Sequence, residues 1–146
     1  MKKEGKENFG FNSLKFVPKA YTSIAFFLLL GAVLFLFWGR KSESFRSDFL
    51  LEVMPEFYQH ISNFTISYLL YAGIGYFWLM MGIRFKYIIF FGIAFVLANF
   101  IYELFIPILN TPDIIDAYFG FAGTILGFFF LFFVKKYGLV INAKLK

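Results

Sequence analysis

Four stretches of predominantly apolar residues, 20–38, 61–83, 87–106 and 114–134, recur along this chain of 146 residues. The hydrocarbon core of a bilayer is roughly 30 Å thick and takes about 20 helical residues to cross, which is the length of each stretch. With 25 Phe, 60% hydrophobic residues and only 16% charged ones, the chain has more apolar surface than a core of its own size can bury. Its solvent must then be lipid. The expected fold is an all-α membrane protein, with four transmembrane helices joined by short loops in a single domain over residues 1–146.

The first stretch follows a lysine-rich N-terminus, as the apolar run of a signal peptide would. Its run is too long for one, however, and the chain continues WGRKSE without a small-x-small cleavage pattern, so it reads as an uncleaved anchor helix. The absence of cysteine excludes disulfides, thiolate metal sites and cysteine nucleophiles.

Orientation follows from the basic residues, which favour the cytoplasmic side. With both termini cytoplasmic, 11 of the 14 Lys and Arg fall there, on the N-terminal segment 1–19, on Arg84 and Lys86, and on the tail 135–146. Only Arg40, Lys41 and Arg46 lie outside, where seven of the nine acidic residues also fall. The expectation is a multi-pass protein of the inner (cytoplasmic) membrane. The sequence pI of 9.4 then reflects topology, and no nucleic-acid partner is implied. The implied partner is membrane lipid, since anionic cytoplasmic lipid attracts each well-placed basic residue by about 1 kcal/mol.

The loop of residues 39–60 carries Phe45, Phe49, Val53 and Phe57 at intervals of four, with Arg46, Asp48, Glu52 and Glu56 elsewhere on the wheel. This pattern predicts an interfacial amphipathic helix ending near Pro55, lying on the outer surface between the first and second spans.

Polar residues inside spans are costly in hydrocarbon and usually face the bundle interior or water. In the second span His60, Asn63, Ser67 and Tyr71 are spaced 0, 3, 7 and 11, and in the third Asn99 and Glu103 are one turn apart. In the fourth, Asp116, Gly120, Gly123 and Gly127 are spaced 0, 4, 7 and 11. Each set forms one stripe on its helix, and each stripe ends at the outer surface. The candidate ligand-binding residues are therefore His60, Asn63, Asn99, Glu103 and Asp116. Glu103 and Asp116 are expected to face inward together, sharing a proton or holding a cation, with His60 and Asn99 nearby.

Structural roles account for other residues. The run Thr111-Pro112-Asp113 reads as a helix start, with Thr111 as cap and Asp113 in the first turn against the positive end of the helix dipole. Gly120, Gly123 and Gly127 read as a packing face, and Ala94 and Ala98 of the third span offer a matching small surface. The GIGYF of residues 73–77 lies mid-span and is no phosphate loop. No nucleophile stands beside His60 and no HExxH-type spacing occurs, so neither catalytic residues nor a cofactor or metal ion is expected.

The run ELFIPILNTPDIIDAYFGFAGTILG, residues 103–127, resembles the signature of VanZ-like membrane proteins: a Glu near the end of one span, a Pro, an acidic pair opening the next span, and glycines at +7 and +11 from the second acid. His60 and Phe64 look like that family's His-x-x-x-Phe. The resemblance covers roughly residues 56–134. It implies a small envelope membrane protein, associated in its namesake with low-level resistance to the glycopeptide teicoplanin. The chain departs from the pattern in lacking a Gln one turn after Glu103, a basic residue in the ILNTP loop and an Asn at the position of Gly120. Three readings follow: a non-enzymatic protein whose outer acidic cluster binds an envelope lipid or cationic group, an accessory subunit of a larger membrane complex, and an enzyme acting on lipid head groups.

Overall fold

The structure, a computed structural model, describes residues 14–106 and 113–143. A short strand β1 (Phe16–Pro18) leads into helix α1 (Ala20–Trp38). A 3₁₀ turn (Glu43–Phe45) and a one-and-a-half-turn helix α2 (Asp48–Val53) follow. Then come α3 (Phe57–Met81), α4 (Phe85–Phe105) and α5 (Ile114–Phe133), which runs through a π-helical turn (Val134–Gly138) into strand β2 (Leu139–Ile141). Four helices, α1, α3, α4 and α5 with its π-helical extension, are long and apolar enough to cross a membrane.

The span boundaries shift for identifiable reasons. Gly82 ends α3 with φ 82°, a left-handed conformation that glycine adopts without a Cβ penalty. Its N–H donates to the Leu79 carbonyl, and the N–H of Ile83 donates to that of Trp78. The chain can then turn at once, so α4 starts at Phe85. At the other end α3 begins at Phe57, four residues before the expected span, which brings His60 and Asn63 into its first two turns.

The expected amphipathic helix, from about Phe45 to near Pro55, is broken up. Phe45 sits in the 3₁₀ turn, its ring stacked on Trp38 and edge-on to Phe35, while Phe57 opens α3 and packs against Phe119. Only Phe49 and Val53, each 69% exposed, keep the outward stripe. Arg46 and Met54 take extended backbone on either side of α2, Met54 as the residue before Pro55, where the proline ring disfavours the helical region.

Helices α3 and α5 form the central pair, each with 44% of its span buried, against 11% for α1 and 17% for α4. Their contact is a backbone approach. A Cβ on Gly123 would overlap the Phe64 carbonyl oxygen, and one on Gly127 would come within 3.0 Å of the Tyr71 ring. The partner of Gly123 and Gly127 is thus α3 rather than the expected Ala94 and Ala98, both of which are exposed. α4 leans mainly on α5 and touches α3 less, which leaves a lateral gap between α3 and α4.

One half of the bundle is packed with large apolar side chains. Tyr76, Leu79, Phe85, Ile88, Phe130, Leu131 and Val134 are buried there, and Phe26 of α1 stacks on Tyr76 at 4.9 Å. The antiparallel strands, with Phe16 opposite Ile141, close that end and bring the first and last described segments together beside the Gly82 turn. Asn142 Nδ2 donates to the Leu14 carbonyl at 2.9 Å, and the buried Thr22 hydroxyl bridges the Lys19 and Gly138 carbonyls. Lys135 lies over the Phe85 ring at 4.6 Å. Neither three-residue strand was expected from the sequence.

Candidate functional site

The opposite end of the bundle gathers the polar stripes. The first turn of α3 brings His60 against the N-terminus of α5, and its Nδ1–H donates to Asp116 Oδ1 at 2.9 Å. Asp113 is the N-cap residue of α5 itself. Its Oδ1 accepts from the Ile115 N–H at 2.8 Å, and its Oδ2 faces His60 Nδ1 at 3.6 Å. Thr111, the expected cap, lies outside the described residues. On the far side of the imidazole, Nε2 lies 3.9 Å from Glu56 Oε2. The ring is only 5% exposed and packs against Phe119.

Asn63, one turn along α3, donates through Nδ2 to Glu103 Oε1 at 3.0 Å, so α3 reaches α5 through His60 and α4 through Asn63. Glu103 is 4% exposed. Asn99, one turn deeper on α4, lays its amide against Gly120, where any side chain would displace it. Its Nδ2 is shielded and has no hydrogen-bond partner among the described residues. The gap between α3 and α4 forms a cavity of about 380 Å³ walled by Asn63, Ser67, Asn99 and Glu103 on its polar side and by Ile66 and Phe95 on its apolar side.

The candidate residues thus divide into two adjacent sets. His60, Asp113 and Asp116 offer ligand atoms that all lie within 4.8 Å of one another, a set able to hold a metal ion. Asn63, Asn99 and Glu103 line the lateral cavity. His60 and Asp113 group around Asp116, because the α5 cap turns Asp113 toward the imidazole. Sequence reading missed two contributors. Glu56 precedes His60 by four residues, a spacing that becomes legible once α3 starts at Phe57. Arg40 donates to the Ser62 hydroxyl at the same end, while Arg46 donates to the Gly39 carbonyl at 2.9 Å.

A second cleft of about 310 Å³, lined by Ile93, Leu97, Phe121, Ile125 and Phe128, runs between α4 and α5 and is almost wholly apolar. It has the character of a surface that lipid tails cover. No protein-family profile, no curated protein and no solved structure matches the chain.

Proposed function

We propose that this is a non-enzymatic, VanZ-like membrane protein of the cell envelope, whose lateral polar cavity binds an envelope lipid through a cationic head group. The observation that carries the reading is Glu103, a carboxylate 4% exposed in the wall of a cavity between two membrane-spanning helices. An ionised carboxylate in so dry a place is costly unless it is paired and hydrogen-bonded. Asn63 supplies one hydrogen bond. The acid in the cavity wall favours an ammonium group, with the Asn63, Asn99 and Ser67 oxygens as further acceptors and the apolar wall against the lipid backbone. In this reading the polar end faces outward and both termini are cytoplasmic in the inner membrane, on the strength of the 11-to-3 division of basic residues. The Asn that the family pattern places at position 120 is absent, and the Asn99 amide fills the space that Gly120 leaves.

The test is lipid retention. Protein extracted in mild detergent from vesicles of equal phosphatidylethanolamine and phosphatidylglycerol should retain the amine lipid several-fold in excess by native mass spectrometry. Glu103→Gln should return the ratio to that of the vesicle. A wild-type protein that keeps both lipids equally would refute the reading.

A second reading, an accessory subunit, is favoured by the peripheral helices. Phe27 and Leu28 of α1 are 66% and 68% exposed, and Phe90 and Phe105 of α4 are 64% and 74% exposed. Photo-crosslinkers at Phe27 and Phe90 separate the two: a discrete protein adduct supports a subunit, and lipid adducts alone support a solitary protein.

A further inference from the structure

We propose that His60, Asp113 and Asp116 form a binding site for a divalent transition-metal ion, distinct from the lipid cavity. Three protein atoms converge from the ends of two helices. His60 Nδ1 is 2.9 Å from Asp116 Oδ1 and 3.6 Å from Asp113 Oδ2. An ion bonded at about 2.1 Å to nitrogen and oxygen sets adjacent ligand atoms about 3.0 Å apart in an octahedron and about 3.4 Å apart in a tetrahedron. The two separations from His60 lie near those edges, and all three ligand atoms lie within 4.8 Å of one another.

The imidazole itself points to a ligand. His60 is 5% exposed, and its Nε2 is shielded and has no hydrogen-bond partner among the described residues. With Nδ1 bound to a metal, the ring proton moves to Nε2. There Glu56, whose side chain is 61% exposed and free to swing in from 3.9 Å, becomes the acceptor. This is the arrangement by which metal-bound histidines are ordinarily oriented, with a carboxylate on the second nitrogen. Charge favours it too, since one imidazole faces three carboxylates, Glu56, Asp113 and Asp116.

Preorganisation comes from the fold. Asp113 is held by its capping bond to Ile115, which leaves Oδ2 aimed at His60. Asp116 follows one turn later on the same helix. His60 stands on α3, the helix that α5 approaches most closely. One nitrogen and two carboxylate oxygens form a donor set for zinc, manganese or ferrous iron rather than for calcium or magnesium, which take oxygen alone. Three protein ligands leave coordination positions open, and Asp113, with its side chain 33% exposed, marks the open side.

The competing arrangement is an imidazolium held between Asp116 and Glu56 without a metal. Tag-free protein in detergent, stripped with chelator and dialysed against micromolar Zn²⁺, distinguishes them by metal content. One zinc per chain is expected, with affinity lowered at least tenfold by His60→Gln and by Asp116→Asn and unaltered by Lys86→Gln at the opposite end. Co²⁺ should give visible bands that change in Asp113→Asn. That variant keeps the helix cap, so it decides the matter if His60→Gln does not fold. Wild-type protein that retains no zinc, variants that bind as the wild type does, or calcium bound as tightly as zinc would each overturn the assignment.

Discussion

The strand end and the polar end of this bundle are built from the same helices but held together by different forces. Around Tyr76, Phe130 and Leu131, large side chains interlock with no carboxylate, imidazole or basic group among the buried residues of the cluster. Around His60 and Glu103, buried polar groups meet across three helices, and a lateral cavity stays open. In lipid, apolar contact between helices gains little from the hydrophobic effect, because lipid tails are as apolar as leucine, so close packing holds a bundle together. The aromatic half supplies that packing. The polar half is thereby free to keep groups that a fold on its own would not select.

The variant that should break the comparison hardest lies between the halves. Gly123→Leu places a side chain where the Phe64 backbone now sits, which must part α3 from α5 and disturb both ends together. A loss of about 3 kcal/mol or more is expected, at the upper end of overpacking costs. Thermal unfolding in detergent measures it, and an unchanged midpoint would mean that α5 presents this face to lipid. Leu131→Ala, confined to the aromatic half, should cost about 2 kcal/mol through the void left at a side chain with no exposed surface. It should leave lipid and metal retention intact, and a variant that lost zinc would show that the halves are coupled.

These two sites also mark how far the sequence alone could be read. The spans were legible because predominantly apolar runs of membrane length point to a bilayer. The glycine face was legible too, but its partner was not. Ala94 and Ala98 matched by size, whereas the true neighbour is the backbone at Phe64, which no side chain announces. The meeting of His60 with Asp113 and Asp116 depends on the rotation of α3 against α5, and spacing within one helix does not determine that. Residues 16–18 and 139–141 are too short for any periodicity to show, and their pairing spans the length of the chain.

The strand end offers a smaller test. Asn142→Ala removes the hydrogen bond to the Leu14 carbonyl and should cost about 1 kcal/mol. Faster amide exchange at Lys15 and Val17, with unchanged exchange in α3, would show that the strands tie the chain ends without supporting the bundle. Spread of the effect into α3 would show the strand pair to be part of the core.

The smallest effect on stability should come from the polar end, at Asp113→Asn. Asparagine caps a helix about as well as aspartate, so the bond to the Ile115 N–H survives. What is lost is one negative charge at the positive end of the α5 dipole and beside His60, a surface-type term of under about 1 kcal/mol. If the polar end exists for binding, this near-silent change should still lower zinc affinity at least tenfold, because the amide's one oxygen stays with the cap and the NH2 that replaces Oδ2 is no metal ligand. Unfolding and metal retention, measured on the same preparation, should therefore separate. A stability loss above about 2 kcal/mol would show that the His60 cluster holds the two helices together, and the division between a packed half and a binding half would fall.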